Sequence, residues 1–533
     1  MFLTTVRKRL PIRLRQNWKV LAVTAVGAVV AVTVFGNVVI RPTSTSTAAV
    51  SDAELITEDV EGAVDLFAAD AAHEVTLSYS QEDYDEMLDA YFTEGEKEWM
   101  VADITIDGTT IDSVGIRLKG NSTLSSLVDD REGSATFGES APGGIGGMGA
   151  GDGELPEGME MPEGMEMPEG MEPPEGMEPP EGMEMPEGME PPGGGGDGEA
   201  GFGVGIALST DAPENLPLLV SFDEYQEGRA YQGMTQLSIR PSSSSYESSL
   251  NEAVALELTA RSGQTTQQFS YTSYTVNERP TTTRLVVESP DAQYADELEG
   301  ESVLFKMLAS GSFTYQGDDQ TEYTDDFSQV NLIGSQDLQP VISFLQWLDE
   351  ASDEEFAAGL DERLDVEGFA EYLAFQELIG NIDTISGPGR NGYLSYDLGT
   401  GRISVISWDL NLAFGGMGAG PGALAGEQVT ADDGEATDAE SSAAASPPEG
   451  EMPDMAGMMG SENALVTRFQ ENSEFAALID AASARLQKSL IASGDALGVV
   501  EEVAARIPVT EGLPQSTVDA DADALREQLA AAE

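Results

Sequence analysis

Residues 380–415, GNIDTISGPGRNGYLSYDLGTGRISVISWDLNLAFG, bring acidic and amide side chains together at loop positions. Asp383 and Asn391 flank one Gly/Pro loop with seven residues between them, and Asp409 closes the strand-like run RISVISWD. Two carboxylates and an amide at one loop mouth suit Mg2+, which takes one or two carboxylates and leaves room for phosphate oxygens. Phosphoryl transfer needs the same parts: a carboxylate to orient the attacking hydroxyl, an amide and a carboxylate toward metal, and a positive group for the phosphates. Protein kinases supply them as an Asp and then an Asn in a catalytic loop, followed by an Asp at a later strand end. The HRD and DFG strings of those enzymes are absent. Acidic loop residues are also commonly solvated turns, and the spacing alone leaves both readings open.

The elements that must position these residues follow from periodicity. The run DVEGFAEYLAFQELIGNI predicts a helix with Phe369, Tyr372, Leu373, Phe375 and Leu378 on one face, delivering Asp383 just past its end. YLSYD and RISVISWD predict a hairpin turning at residues 398–401. Upstream, WMVADITIDGTTIDSVGIRLKG predicts two strands about an Asp107-Gly108 turn. LPLLVSFDEY, YQGMTQLSIRP, FSYTSYTVNE and TTTRLVVES read as further strands, and residues 246–261 as a helix. From about Gln336 helical patterns take over. The expected class is α+β, with a strand-rich first part and a helical second part large enough for two lobes. His73, the only histidine, cannot build a metal site alone and is assigned to structure.

Two stretches cannot belong to a packed core. Residues 128–213 centre on repeats of PEGMEM and PEGMEP, whose regular Pro and Gly break helix and sheet and whose glutamates repel one another. Residues 415–460 are rich in Gly, Ala, Ser and Asp and end in PPEGEMPDMAGMMG. Both are expected to be disordered spacers. Methionine thioethers beside carboxylates are also soft-metal donors, but the repeat has no His or Cys to complete such a site.

The first 41 residues hold Arg7, Lys8, Arg9, Arg13, Arg15, Lys19 and Arg41 and no acid, and the uncharged run after Lys19 is long enough to span a bilayer once. The charge asymmetry predicts a cytoplasmic N-terminus and an exported body. A cleaved signal peptide ending near Ala48-Ala49 leads to the same destination. The remaining chain keeps only 18 of the 25 basic residues against all 96 acidic ones, so it lacks the basic footprint that nucleic-acid binding needs. The absence of cysteine excludes disulfides, thiolate zinc sites and a cysteine nucleophile.

GIRLKGNST at residues 115–123, FDEYQEGRAYQGMTQLSI at 222–239, and above all GNID, RNGYLSYD and WDLNLAFG resemble the CotH kinase family, the spore-coat-protein-H-like atypical kinases. The resemblance covers residues 73–490, with the two spacers as insertions. It implies a protein-kinase-like two-lobed fold that uses ATP and Mg2+ (or Mn2+) to phosphorylate protein. It further implies Asp383 as the catalytic aspartate, Asp409 as metal ligand assisted by Asn391, and Arg117 and Lys119 as phosphate contacts. Glu252 would pair with a nucleotide-binding basic residue, and Lys306 would stand in for one. Two departures weaken the nucleotide-lining half: LPLLVSFDEY lacks the basic residues usual there, and no Gly-Tyr pair precedes Glu288.

The chain therefore divides into a basic cytoplasmic segment (1–19), an anchor or uncleaved signal (20–40), a linker (41–72), the CotH-like domain (73–490) and a helical tail (491–533). Two functions are expected to compete: an envelope protein kinase acting on a protein substrate at the cell surface, and an inactive scaffold of the same fold.

Overall fold

The computed structural model describes residues 55–120, 123–131, 208–242, 245–298, 300–309, 311–415 and 463–531. The expected anchor at 20–40, the PEGMEM repeats and nearly all of the second spacer lie outside them. Among the described residues no helix is long and apolar enough to cross a membrane.

Seven strands close a barrel: β1 (His73–Ser78), β2 (Met100–Ile106), β3 (Thr109–Leu118), β4 (Leu218–Ser221), β5 (Gln236–Ile239), β6 (Phe269–Val276) and β7 (Thr282–Glu288). Their order around the barrel is β6-β7-β5-β4-β3-β2-β1, and a parallel β1–β6 pairing completes the circuit. The β2–β3 hairpin turns where expected, with Asp107 and Gly108 both at positive φ, the geometry of a type I′ turn. His73 has the structural role expected of it: its Nδ1 lies 2.7 Å from the Asp107 carboxylate and braces that turn. The barrel interior is filled by Leu77, Ile104, Val114, Ile116, Val220 and Val286 among others. β7 is buried along its whole length because both faces are covered: Val286 points into the barrel, while Leu285 and Val287 pack on helices.

Those helices are α2 (Leu250–Ser262) and, from the far end of the chain, α7 (Asp495–Ala504) and α8 (Gln515–Ala531). α1 (Gln81–Glu94) packs Met87 and Leu88 into the barrel cluster; Ser80 caps it by accepting from the Asp83 N–H. A second sheet holds β8 (Ser302–Met307), β9 (Phe327–Gln329), β10 (Tyr393–Asp397) and β11 (Ile403–Ile406) in the order β9-β8-β10-β11. It packs on α3 (Gln339–Glu350), α4 (Val366–Leu378) and the helices α5 (Ala464–Glu471) and α6 (Ser473–Leu486). The α+β class holds, but the helical second part is built on this sheet, which the SVLFKM segment joins as a buried central strand.

Two expected boundaries shift. Residues 128–131 and 208–213, placed in the first spacer, belong to the body. Leu127–Val128 pairs in parallel with Leu208–Ser209, Leu127 and Leu208 enter the barrel core, and the Arg131 guanidinium grips both oxygens of buried Asp129. Residues 491–531, expected as a tail, are core: Val499, Val518, Leu525 and Leu529 pack on α2, and Asp521 accepts from the Ser248 N–H at 2.8 Å. Their apolar spacing on one face, not their position at the chain end, decides this.

Candidate active site

A cavity of about 880 Å³ is lined by Asp383, Asn391, Asp409, Arg117, Lys119, Glu252 and Lys306, every site residue expected from the sequence. Asp383 follows α4 and sits in the loop before β10. The Asn391 amide donates to its Oδ2 at 2.9 Å and the Gly389 N–H to its Oδ1 at 2.6 Å. Burial raises the Asp383 carboxyl from its ordinary value to about 6; the Gly389 hydrogen bond opposes that shift and the Asp409 charge adds to it. A carboxylate tuned toward neutrality and held by two donors has the character of a general base.

Asp409 caps the short turn Leu410–Leu412 after β11, with φ 59° and ψ 59°. Its Oδ1 accepts from Arg240, and Arg240 Nε lies 2.9 Å from Glu252 Oε2. The basic partner expected for Glu252 from the resemblance, left unnamed by the sequence, is Arg240, one residue past β5. Burial opposes the Arg240 charge, but Asp409 and Glu252 hold it above its ordinary pKa. Burial raises the Glu252 carboxyl against the pull of Arg240.

Arg117 and Lys119 lie at the end of β3. Lys119 Nζ donates to Ser238 Oγ at 2.6 Å and stands 4.6 Å above the Trp408 ring. Lys306, opposite Tyr393 on the neighbouring strand, also faces the Trp408 ring at 5.8 Å. Arg117 stacks on Trp99 at 4.5 Å. Burial lowers Lys119, Lys306 and Arg117, and neighbouring cations add to the effect for both lysines. Lys97, also on the cavity wall, is brought down to about 8 by burial and then by Arg117 and Lys306.

Five cations thus share one cavity in a chain of net charge −71. The basic groups come from β3, β5, β8 and the α1–β2 connection, while the β4 strand, where the sequence lacked them, supplies none. Sequence reasoning missed Lys97, Arg240 and Trp408. A usable signal existed for Arg240: a basic residue closing the apolar run QLSIRP is expensive to bury unless it is paired.

Among the described residues no three Asp, Glu or His side chains cluster as a metal-binding group. The donor chemistry present, Asp409 and Asp383 carboxylates with the Asn391 amide, fits a hard cation that takes the rest of its shell from phosphate and water. The cationic wall fits a polyphosphate, whose charge offsets the repulsion among the lysines.

Residues 209–521, more than half of the chain, match the family model described as CotH kinase protein. The match reaches through α7 into α8, in keeping with their place in the core, and begins after the GIRLKGNST segment. No curated protein matches the chain.

Proposed function

The chain belongs to the CotH kinase family, and from that premise we propose that it is an atypical protein kinase that phosphorylates a protein hydroxyl in the cell envelope. The observation that carries this reading is the cavity that five cations line together with the Asp383–Asn391 pair. ATP binds with its phosphates along Lys97, Arg117, Lys119 and Lys306. Asp383 accepts the proton of the acceptor hydroxyl as that oxygen bonds to the γ-phosphorus, the bond from the γ-phosphorus to the bridging oxygen breaks, and ADP leaves. Asp409 and Asn391 hold Mg2+ or Mn2+, which when bound neutralises charge on the phosphate oxygens. Arg240, fixed by Glu252, orients the Asp409 carboxylate.

The basic N-terminal segment and the apolar run after it support a single-pass anchor with the body outside the membrane, where the substrate is another envelope or cell-surface protein. The test is transfer of label from γ-labelled ATP, with Mg2+ or Mn2+, by the purified full chain to envelope proteins. Transfer that disappears in Asp383→Ala and Asp409→Ala supports the reading. Absence of nucleotide binding with either metal sinks it and leaves a scaffold.

A further inference from the structure

Asn251 directly precedes Glu252 on α2 and is 1% exposed. Its Nδ2 donates to the backbone oxygens of Asn411 at 2.7 Å and Ala413 at 3.1 Å. With two carbonyl acceptors, it must be the NH2 end of the amide that faces the turn. That turn starts at Asp409, whose left-handed backbone is unfavourable for any residue with a Cβ and tolerated best by Asp and Asn. Such a conformation persists only when its surroundings over-determine it. The far end of the turn is tied as well: the Phe414 N–H donates to Ile379 O at 2.7 Å, and Tyr246 Oη donates to Phe414 O at 3.0 Å.

One helix therefore grips the Asp409 segment twice. Glu252 reaches the carboxylate through Arg240, and Asn251 holds the backbone that aims it. We propose that Asn251 is a positioning residue that sets the metal affinity of Asp409 without touching the metal, an inference that rests on reading Asp409 as a metal ligand. Partners one step behind a metal ligand typically account for about 10–100-fold in metal affinity. Removing the amide frees the turn to leave the left-handed region and carries the carboxylate with it. The Asp383 side of the cavity, on the loop after α4, keeps its own hydrogen bonds.

The experiment titrates Mn2+ into the full chain with ATP and follows free Mn2+ by electron paramagnetic resonance, with ATP alone as the baseline. ATP affinity without metal is measured in EDTA, and folding by near-ultraviolet circular dichroism. Asn251→Ala is expected to weaken Mn2+ binding about 10–100-fold, with metal-free ATP affinity within about threefold of wild type and the fold retained. Asn251→Ser, which keeps one donor, is expected to fall between the two. Unchanged Mn2+ binding in folded Asn251→Ala overturns the proposal. So does unfolding of both variants, which would make Asn251 a packing requirement instead. If the wild-type chain itself takes up no Mn2+ with ATP, it is the kinase reading that fails.

Discussion

Arg240 Nε lies 2.9 Å from Glu252 Oε2, and both residues are almost wholly buried, at 5% and 3% exposed. The pair joins the barrel, through Arg240 after β5, to helix α2. Because Arg240 also donates to Asp409, the pair continues into the turn that begins at Asp409. A buried ion pair is expensive to break from one side, since the partner is left as an uncompensated charge.

Arg240→Met is accordingly expected to destabilise the protein by about 3–5 kcal/mol. The double variant Arg240→Met/Glu252→Leu should recover most of that loss, because the buried orphaned carboxylate is gone and Asp409, the other partner of Arg240, is partly open to solvent. Urea denaturation with unchanged slope would measure both. Equal destabilisation of the single and double variants would contradict the pairing.

Asp383→Asn keeps the size of the side chain and removes its basicity. Phosphotransfer should fall by about 10²–10⁴-fold, the usual contribution of a general base, while ATP affinity holds. Steady-state kinetics alongside calorimetry separates the two quantities.

The raised Asp383 carboxyl also predicts a pH profile. Its basic form grows as pH rises through about 6, so the rate should climb up to that pH and level above it. The stability sign is opposite. A carboxyl whose folded value lies above its ordinary 3.8 stabilises the protein fully below 3.8 and loses that contribution as pH rises through about 6. Tm measured from pH 4 to 7 should therefore fall less in Asp383→Asn than in wild type.

At Gly389 a Cβ would stand 2.5 Å from Asp383 Oδ2 and 3.0 Å from Oδ1. Gly389→Ala must push the carboxylate out of place, and a displacement of about 1 Å can lower the rate by about 10²-fold. Turnover should drop by that order with ATP affinity unchanged. Full activity in this variant would remove Asp383 from the reaction.

Lys97 loses its charge as pH rises through about 8. ATP affinity should decline above that pH in wild type. In Lys97→Met it should be about tenfold weaker at pH 7, the scale of one charged hydrogen bond, and the step near pH 8 should be missing, leaving only the decline that Lys119 and Lys306 cause. Fluorescence titration with an ATP analogue from pH 6.5 to 9.5 distinguishes the two profiles.

The sequence by itself determined whatever short-range chemistry controls. Asp107-Gly108 specifies its hairpin because both residues tolerate positive φ, and Asp383, Asn391 and Asp409 are legible as one site because a single helix–loop–hairpin segment carries them. Their surroundings were decided only by the tertiary structure. Arg240 meets Asp409 across 169 positions of sequence, and β1 closes the barrel on β6 by a parallel pairing, because register and strand order depend on which distant surfaces bury each other. Local periodicity carries no record of that choice. It shows that a strand has an inner and an outer face, but not that five scarce cations on separate elements will line the same cavity.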